Sequence, residues 1–340
     1  MIRKTLAAGA MLLGAGLPGV LLAQPVAQSG ARAAAQSAMR TQDVLPFYPR
    51  RAVAPMVLRL PASARILAMA NAGVASTDAD ALLYNPGMLS AARGASVSMQ
   101  TYGSGGTGGA VATVTTLGSL FFGVGAQFVR WNVGPTQPAR EDERYRERLL
   151  GGGASLYARE GIPSSSTAIT FGIARTIKGL RLGASAKFAE DRIGLSNDGT
   201  VAFDIGMMRS VGQVNLAITA QNLGFGTRLD GQESVLPRRL GVGFGGAGYA
   251  LSEHWDLGAQ AQLTMENDFF RPAGGVELVY VPIEGVQFAL RSGLRLPRES
   301  NESLVTGGFG ATLDRFSLDY AFEPFRNGFA VSHRVGVRIR

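Results

Sequence analysis

The stretch Trp255-Asp256-Leu257-Gly258-Ala259-Gln260-Ala261-Gln262-Leu263-Thr264-Met265-Glu266 alternates without a break. Trp255, Leu257, Ala259, Ala261, Leu263 and Met265 share one parity. Asp256, Gly258, Gln260, Gln262, Thr264 and Glu266 share the other. Successive side chains of a strand point to opposite faces, so this segment is a strand with one apolar and one polar or small face. The same pattern runs through 120–131, 286–296 and 316–323, where Phe316, Leu318, Tyr320 and Phe322 oppose Ser317, Asp319, Ala321 and Glu323.

Two architectures use such strands. A soluble sandwich buries the apolar face and wets the other. A membrane barrel turns the apolar face to lipid and the polar face to its lumen. Strand length, strand number and the Gly-, Gln-, Ser- and Arg-rich polar faces favour the barrel. About 10 residues is the length a tilted strand needs to cross a bilayer. Candidate strands fall at 95–102, 109–116, 119–131, 149–158, 167–176, 180–191, 199–209, 214–223, 238–249, 255–265, 271–280, 286–296, 304–313, 316–325 and 331–340.

Bacterial barrels of one chain have even strand numbers, with short periplasmic turns and longer outer loops. Counting back from a periplasmic C-terminus puts 314–315, 281–285, 250–254, 210–213 and 177–179 inside. The generally longer 326–330, 297–303, 266–270, 224–237 and 192–198 then lie outside. The alternation makes 132–166 one outer loop and removes 149–158, whose Gly151-Gly152-Gly153 is a poor strand start. The expected fold class is all-β: a 14-stranded antiparallel transmembrane β-barrel, with a short N-terminal helical plug or hatch.

Composition agrees. The 340 residues include 46 Gly and no Cys, with 46% hydrophobic and 17% charged residues. Gly without a three-residue repeat excludes collagen, and the apolar content excludes a disordered chain. With no Cys there is no disulfide framework, thiolate site or Cys nucleophile. The two histidines, His254 and His333, suit neither a multi-His metal site nor any catalytic constellation. No metal, cofactor or enzymatic activity is expected. The formal charge of +8 invites a nucleic-acid reading. It fails because the cations are spread over strands and loops.

Residues 1–23 read as a signal peptide. Arg3 and Lys4 precede the apolar run Leu6 to Leu22, and Ala23 suits the cleavage point. Residues 24–64, rich in Ala, Gln, Pro and Arg, read as a flexible segment, 65–94 as the plug or hatch and 95–340 as the barrel. Within the plug, Thr77-Asp78-Ala79-Asp80 has capping-box spacing and predicts a short helix through Ala81 to Tyr84. Asn85-Pro86 stops it, and Gly87 eases the turn toward the first strand. The segment serves either to fill the lumen or to gate it and touch a ligand.

Gly241-Val242-Gly243-Phe244-Gly245-Gly246 matches G-x-G-x-x-G, but continues a strand with no helix after it, so it reads as small luminal residues. The charge run Arg140 to Arg148 belongs to a solvated loop, with a partner-binding epitope as the alternative. Arg181, Lys187, Arg291, Arg295, Arg334 and Arg338 fall on lumen faces. They either pair with acids such as Asp204, Asp319 and Glu323, bracing the barrel, or line an anion-favouring channel.

The run Ala64-Arg65-Ile66-Leu67-Ala68-Met69-Ala70-Asn71-Ala72-Gly73-Val74-Ala75, then Asp78-Ala79-Asp80-Ala81 and Tyr84-Asn85-Pro86, resembles the entry motif of the PorV/PorQ family and of the wider FadL-like outer-membrane proteins. Phe203-Asp204-Ile205-Gly206, Gln221-Asn222-Leu223-Gly224 and Leu318-Asp319-Tyr320-Ala321-Phe322-Glu323-Pro324-Phe325 resemble further family segments. The resemblance runs from about residue 61 to 340. It departs at Asn85-Pro86-Gly87-Met88-Leu89, where the family usually has Asn-Pro-Ala-Gly-Leu. It also departs at the end, Val337-Arg338-Ile339-Arg340, where such barrels usually carry an aromatic residue.

The resemblance implies a 14-stranded barrel in the bacterial outer membrane. As PorV does in type IX secretion, it would take cargo proteins from a secretion translocon to a surface-attachment complex. A FadL-like protein would instead carry hydrophobic small molecules across the membrane. Short connections leave little room for a large ligand-capturing cup, which tilts the reading toward secretion.

Overall fold

The computed structural model describes residues 52–103, 105–133, 162–229, 231–299, 301–326 and 330–340. The signal peptide, residues 24–51, the discarded strand 149–158 and the charge run Arg140 to Arg148 lie outside these.

In chain order, β1 is Ala52–Val53, β2 Gly94–Thr101, β3 Thr107–Leu117, β4 Leu120–Val133, β5 Ile162–Ile177, β6 Leu180–Ile193, β7 Ser196–Val211 and β8 Val214–Gly224. Then follow β9 Thr227–Leu229, β10 Gln232–Val235, β11 Arg239–Ala250, β12 Trp255–Glu266, β13 Phe269–Ile283, β14 Val286–Arg295, β15 Val305–Leu313, β16 Phe316–Glu323 and β17 Ser332–Ile339. Strands β2 to β8 and β11 to β17 form one closed antiparallel barrel, sealed where β17 pairs with β2. These are the fourteen strands that alternation and parity select.

The apolar parity points outward. Val97, Phe171, Phe203, Phe244, Leu290, Phe309 and Leu318 are all more than half exposed on the barrel's outside. An apolar surface of that extent has no place in water. At ~3.3 Å rise per residue and a tilt near 40°, ten residues cover the ~25 Å lipid-facing band of a transmembrane barrel. The protein is a transmembrane β-barrel of the outer-membrane type. No described helix is long and apolar enough to cross a membrane.

One end carries tight turns. Lys178 (φ 49°) and Gly179 (φ 80°) supply the two positive φ angles of a primed hairpin turn. The other end carries the longer connections. There the 224–237 connection, expected as plain loop, contains β9 and β10, which pair antiparallel with each other, and β10 also pairs in parallel with β1.

The luminal N-terminal part begins earlier than residue 65. Residues 56–64 belong inside the barrel and not to a flexible segment, because Val57 and Leu58 pack against Val129, Ala168, Ala189 and Ala202 on the inner wall. From β1 at the long-connection end, the chain descends the lumen and emerges into β2.

Candidate functional site

The luminal segment is built from single turns. A 3-10 turn, Met56–Arg59, is pinned where the Val57 N–H donates to Ser166 Oγ at 3.0 Å. Helix α1, Ala64–Ala68, follows; its cap is Ser63, whose Oγ accepts from the Ile66 N–H at 3.4 Å. Ala70 (φ 59°) and Asn71 (φ 61°) reverse the chain. Two further 3-10 turns are Ala79–Leu83 and Pro86–Ser90.

The capping expectation is corrected here. Asp78, not Thr77, stands at the N-cap of Ala79–Leu83, and makes no side-chain cap bond. Its carboxylate is drawn instead to three guanidiniums. Asn85 interrupts the first turn and caps the next: its Oδ1 accepts from the Gly87 N–H at 3.0 Å, and its Nδ2 donates to the Val74 carbonyl at 3.0 Å. Pro86 fills the first position of that turn, where no N–H is needed.

The side chains of Ile66, Leu67, Met69, Leu82, Met88 and Leu89 are fully buried. They reach the wall because the wall recedes where they touch it. A methyl on Gly123 would lie 2.6 Å from Leu89, and one on Gly87 2.8 Å from the Gly206 backbone. Methyls on Gly275 and Gly293 would collide with Met69 and with Ala70. Gly241 and Gly243, from the G-x-G-x-x-G match, sit against Val74.

On β13, β14, β16 and β17 a closed ring of charge adjoins this seat. Asp78 pairs with Arg65 (2.7 Å), Arg338 (2.6 Å) and Arg340 (2.6 Å). Arg65 grips Glu277 with two bonds, at 2.8 and 3.0 Å. Arg291 bridges Glu277 and Asp319, the latter at 2.7 Å. Arg338 joins Asp319 (2.7 Å) back to Asp78. Three acids and three arginines alternate around the cycle, so its charge balances before Arg340 is added. Burial alone would raise the Asp78 pKa; Arg338, Arg65 and Arg340 outweigh it and hold that carboxyl well below its usual range. Among the described residues Asp80 makes no ion pair; burial, then the neighbouring Asp78 charge, push its pKa up to about 6, and Ser63, Arg338 and Arg65 lower it only in part.

The remaining luminal cations are placed as follows. Lys187 pairs with Asp204 at 2.8 Å and donates to Asn222 Oδ1 at 3.1 Å. Asp204 also accepts from Ser185 Oγ (2.9 Å) and the Asn222 N–H (2.8 Å). This cluster sits at a bulge: the β7–β8 register shifts between Phe203 and Ile205, and Asn222 has φ 57°. The two sequence segments around Asp204 and Asn222 therefore face each other across one irregularity of the wall. Arg295 pairs with Glu323. Among the described residues Arg334 makes no ion pair; it donates to Ser98 Oγ (3.2 Å), Gln100 Oε1 (2.8 Å) and the Pro61 carbonyl. Arg181 is half-buried and points at Met208 Sδ.

Toward the long-connection end, Glu266 is shared by Arg59 (2.9 Å), Arg239 (2.7 Å) and Arg298. A luminal cavity of about 40 Å³ lies there, lined by Arg59, Asn71, Tyr84, Glu266 and Arg298 among others. That volume suits about one water. The structure brings Asp78, Arg291 and Arg338 together in one ring, and leaves Lys187, Arg334 and Arg295 in three separate clusters.

The chain matches no family model and no curated protein sequence. It does match solved structures. The CymD monoaromatic hydrocarbon channel superposes with a TM-score of 0.52 at 10% identity, over 84% of this chain and 97% of that one. The fold is that of this barrel. The toluene transporter TbuX of Ralstonia pickettii aligns at a TM-score of 0.49 and 13% identity, over 82% and 97%.

Three participants escaped the sequence reading. Arg65 and Glu277 belong to the ring, and Arg340 pairs with its Asp78. Arg65 and Glu277 stand 212 positions apart. Glu277 does sit on the luminal parity of its strand, and that parity is the one signal that could have flagged it.

Proposed function

We propose that this protein is a gated outer-membrane channel for hydrophobic small molecules, closed in this structure by its own N-terminal segment. The observation that carries the proposal is the character of the plug. The lumen wall is polar or small, whereas the plug brings Ile66, Leu67, Met69, Leu82, Met88 and Leu89 into it. A path opened by shifting the plug would be lined by those side chains. Such a path suits an apolar solute better than a hydrated one. The likeness in fold to a barrel described as a hydrocarbon channel supports the same reading. A role in protein secretion rests on the sequence resemblance alone, and no described feature favours it.

The test is to weld the plug to the wall. A methyl on Gly245 would lie 3.4 Å from the Ala75 Cβ, close to the ~3.5–4.5 Å that a disulfide spans. With no native Cys to interfere, Ala75→Cys with Gly245→Cys forms one defined cross-link in an oxidising periplasm. Cells carrying the wild-type protein should take up toluene or a hydrophobic dye faster than cells without it. The oxidised double variant should lose that gain, and reductant should restore it. Undiminished uptake through the cross-linked protein would rule out a path past the plug. A deletion strain that strands secreted cargo in the periplasm, with unchanged uptake, would return the secretion reading.

A further inference from the structure

We propose that the outer wall over β6 to β12 holds an anionic phospholipid of the periplasmic leaflet, with an acyl chain in a groove and the phosphate on Arg209. The groove is an apolar cavity of about 610 Å³ formed by outward side chains, among them Leu180, Met207, Leu216, Ile218, Val242 and Phe244. Its members are register partners across the sheet, Met207 opposite Ile218 opposite Val242 opposite Leu263, so the groove runs across the strands. Ala261 keeps its floor low.

Arg209 closes one end of this groove. It is exposed on the same face of β7 as Phe203, Ile205 and Val211, which is the lipid face. Among the described residues it makes no ion pair, although nearly every luminal arginine does. An unpaired guanidinium on the lipid side of a barrel is costly at the bilayer midplane and nearly free near the interface. Arg209 stands two residues before the end of β7, at the tight-turn end, and at that same end of β12 and β13 Trp255 and Tyr280 stack at 4.8 Å. Trp and Tyr mark the headgroup region. The periplasmic leaflet is where tight turns face.

Two more cations share this level. Arg175 is exposed on the lipid parity of β5, and Lys178 is in the turn that follows it. Neither makes an ion pair among the described residues. The three cations form a one-signed rim beside an apolar groove, and a phosphate over an acyl chain is the complement of that arrangement. The proposal rests on the barrel's place in the membrane and stands apart from what the lumen transports.

The test is native mass spectrometry of the detergent-purified full chain with added palmitoyl-oleoyl phosphatidylglycerol or the zwitterionic phosphatidylcholine. The wild type should retain phosphatidylglycerol over phosphatidylcholine, and each removed cation should lower that preference by about fivefold. Arg209→Gln and Arg175→Gln probe the rim. Ala261→Phe fills the groove and should reduce binding of both lipids, whereas Ala311→Phe, outward on β15, should change neither. Heat-modifiable gel migration confirms that each variant is folded. Equal retention of the two lipids by wild type, or an unchanged preference in Arg209→Gln, would overturn the proposal. So would equal effects of Ala261→Phe and Ala311→Phe.

Discussion

The plug meets two walls; glycines seat it on both, and only one of them adds a ring of charge. Against β4 to β7 the turn Pro86–Ser90 sits on glycines, and contact there is steric. Against β13, β14, β16 and β17 the helix α1 and Asp78 are joined by the alternating ring of three acids and three arginines. Steric contact is short-ranged, insensitive to pH and salt, and lost with the first ångström of movement. The ring couples over a longer range. It has only charged alternatives, since a broken pair leaves an unpaired charge in a dry lumen. If the plug moves as a gate, the glycine wall sets where it rests and the ionic wall sets how hard it is to release.

The largest expected effect tests the ionic wall. Asp319→Ala leaves Arg291 and Arg338 each short of a carboxylate, and removal of one partner of a buried pair typically costs ~3–5 kcal/mol. The urea midpoint of the folded barrel should fall accordingly, and the cross-link between positions 75 and 245 should form more slowly as the plug wanders. A variant as stable as wild type would mean that the ring is not what holds this wall.

Next comes Asp80, which lies in the plug beside the ring but outside it. Its pKa is raised to about 6 in the folded protein, so the folded state binds the proton more tightly than the unfolded chain. Stability is therefore highest below the unfolded carboxyl range and falls as pH rises from about 4 to about 6. Two pKa units correspond to ~2–3 kcal/mol. Asp80→Asn should remove the pH dependence and be more stable than wild type at pH 8, measured by urea titration at pH 4, 6 and 8. Loss of stability at every pH would show that the Asp80 carboxylate is held by partners after all.

The smallest effect tests the glycine wall. Gly87→Ala puts a methyl 2.8 Å from the Gly206 backbone, which has no flexible end to yield. Overpacking of this kind costs ~1–3 kcal/mol. It should lower the urea midpoint equally at low and high salt, whereas Asp319→Ala should not. A salt-dependent Gly87→Ala would erase the distinction between the walls.

Particular residues show how far the sequence could be read. The lipid-facing parity of 255–266 was legible because water and lipid impose a two-residue period on every strand, whatever its neighbours. The bracing pair Lys187–Asp204 was a matter of parity too, since both fall on the luminal side. The bulge that joins Asp204 to Asn222 was not, because it is one residue of register, set by the pairing partner. Ser63 and α1 were missed because five residues make barely more than one helical turn, too little for any 3.6-residue period. Asp78 looked like part of a helix cap because capping is local, and the chain resolved the competition in favour of guanidiniums that are far away in sequence.

What the sequence determined by itself is the repeating half of the protein: fourteen strands, their inside and outside, and the short and long ends. Alternation is a property of each strand alone, enforced by the solvent on either side. The tertiary structure decided which glycines face a plug instead of an open lumen and which luminal charges complete one ring. Those choices join residues 212 positions apart and more, and only closure of the barrel around its N-terminal segment brings them within reach of one another.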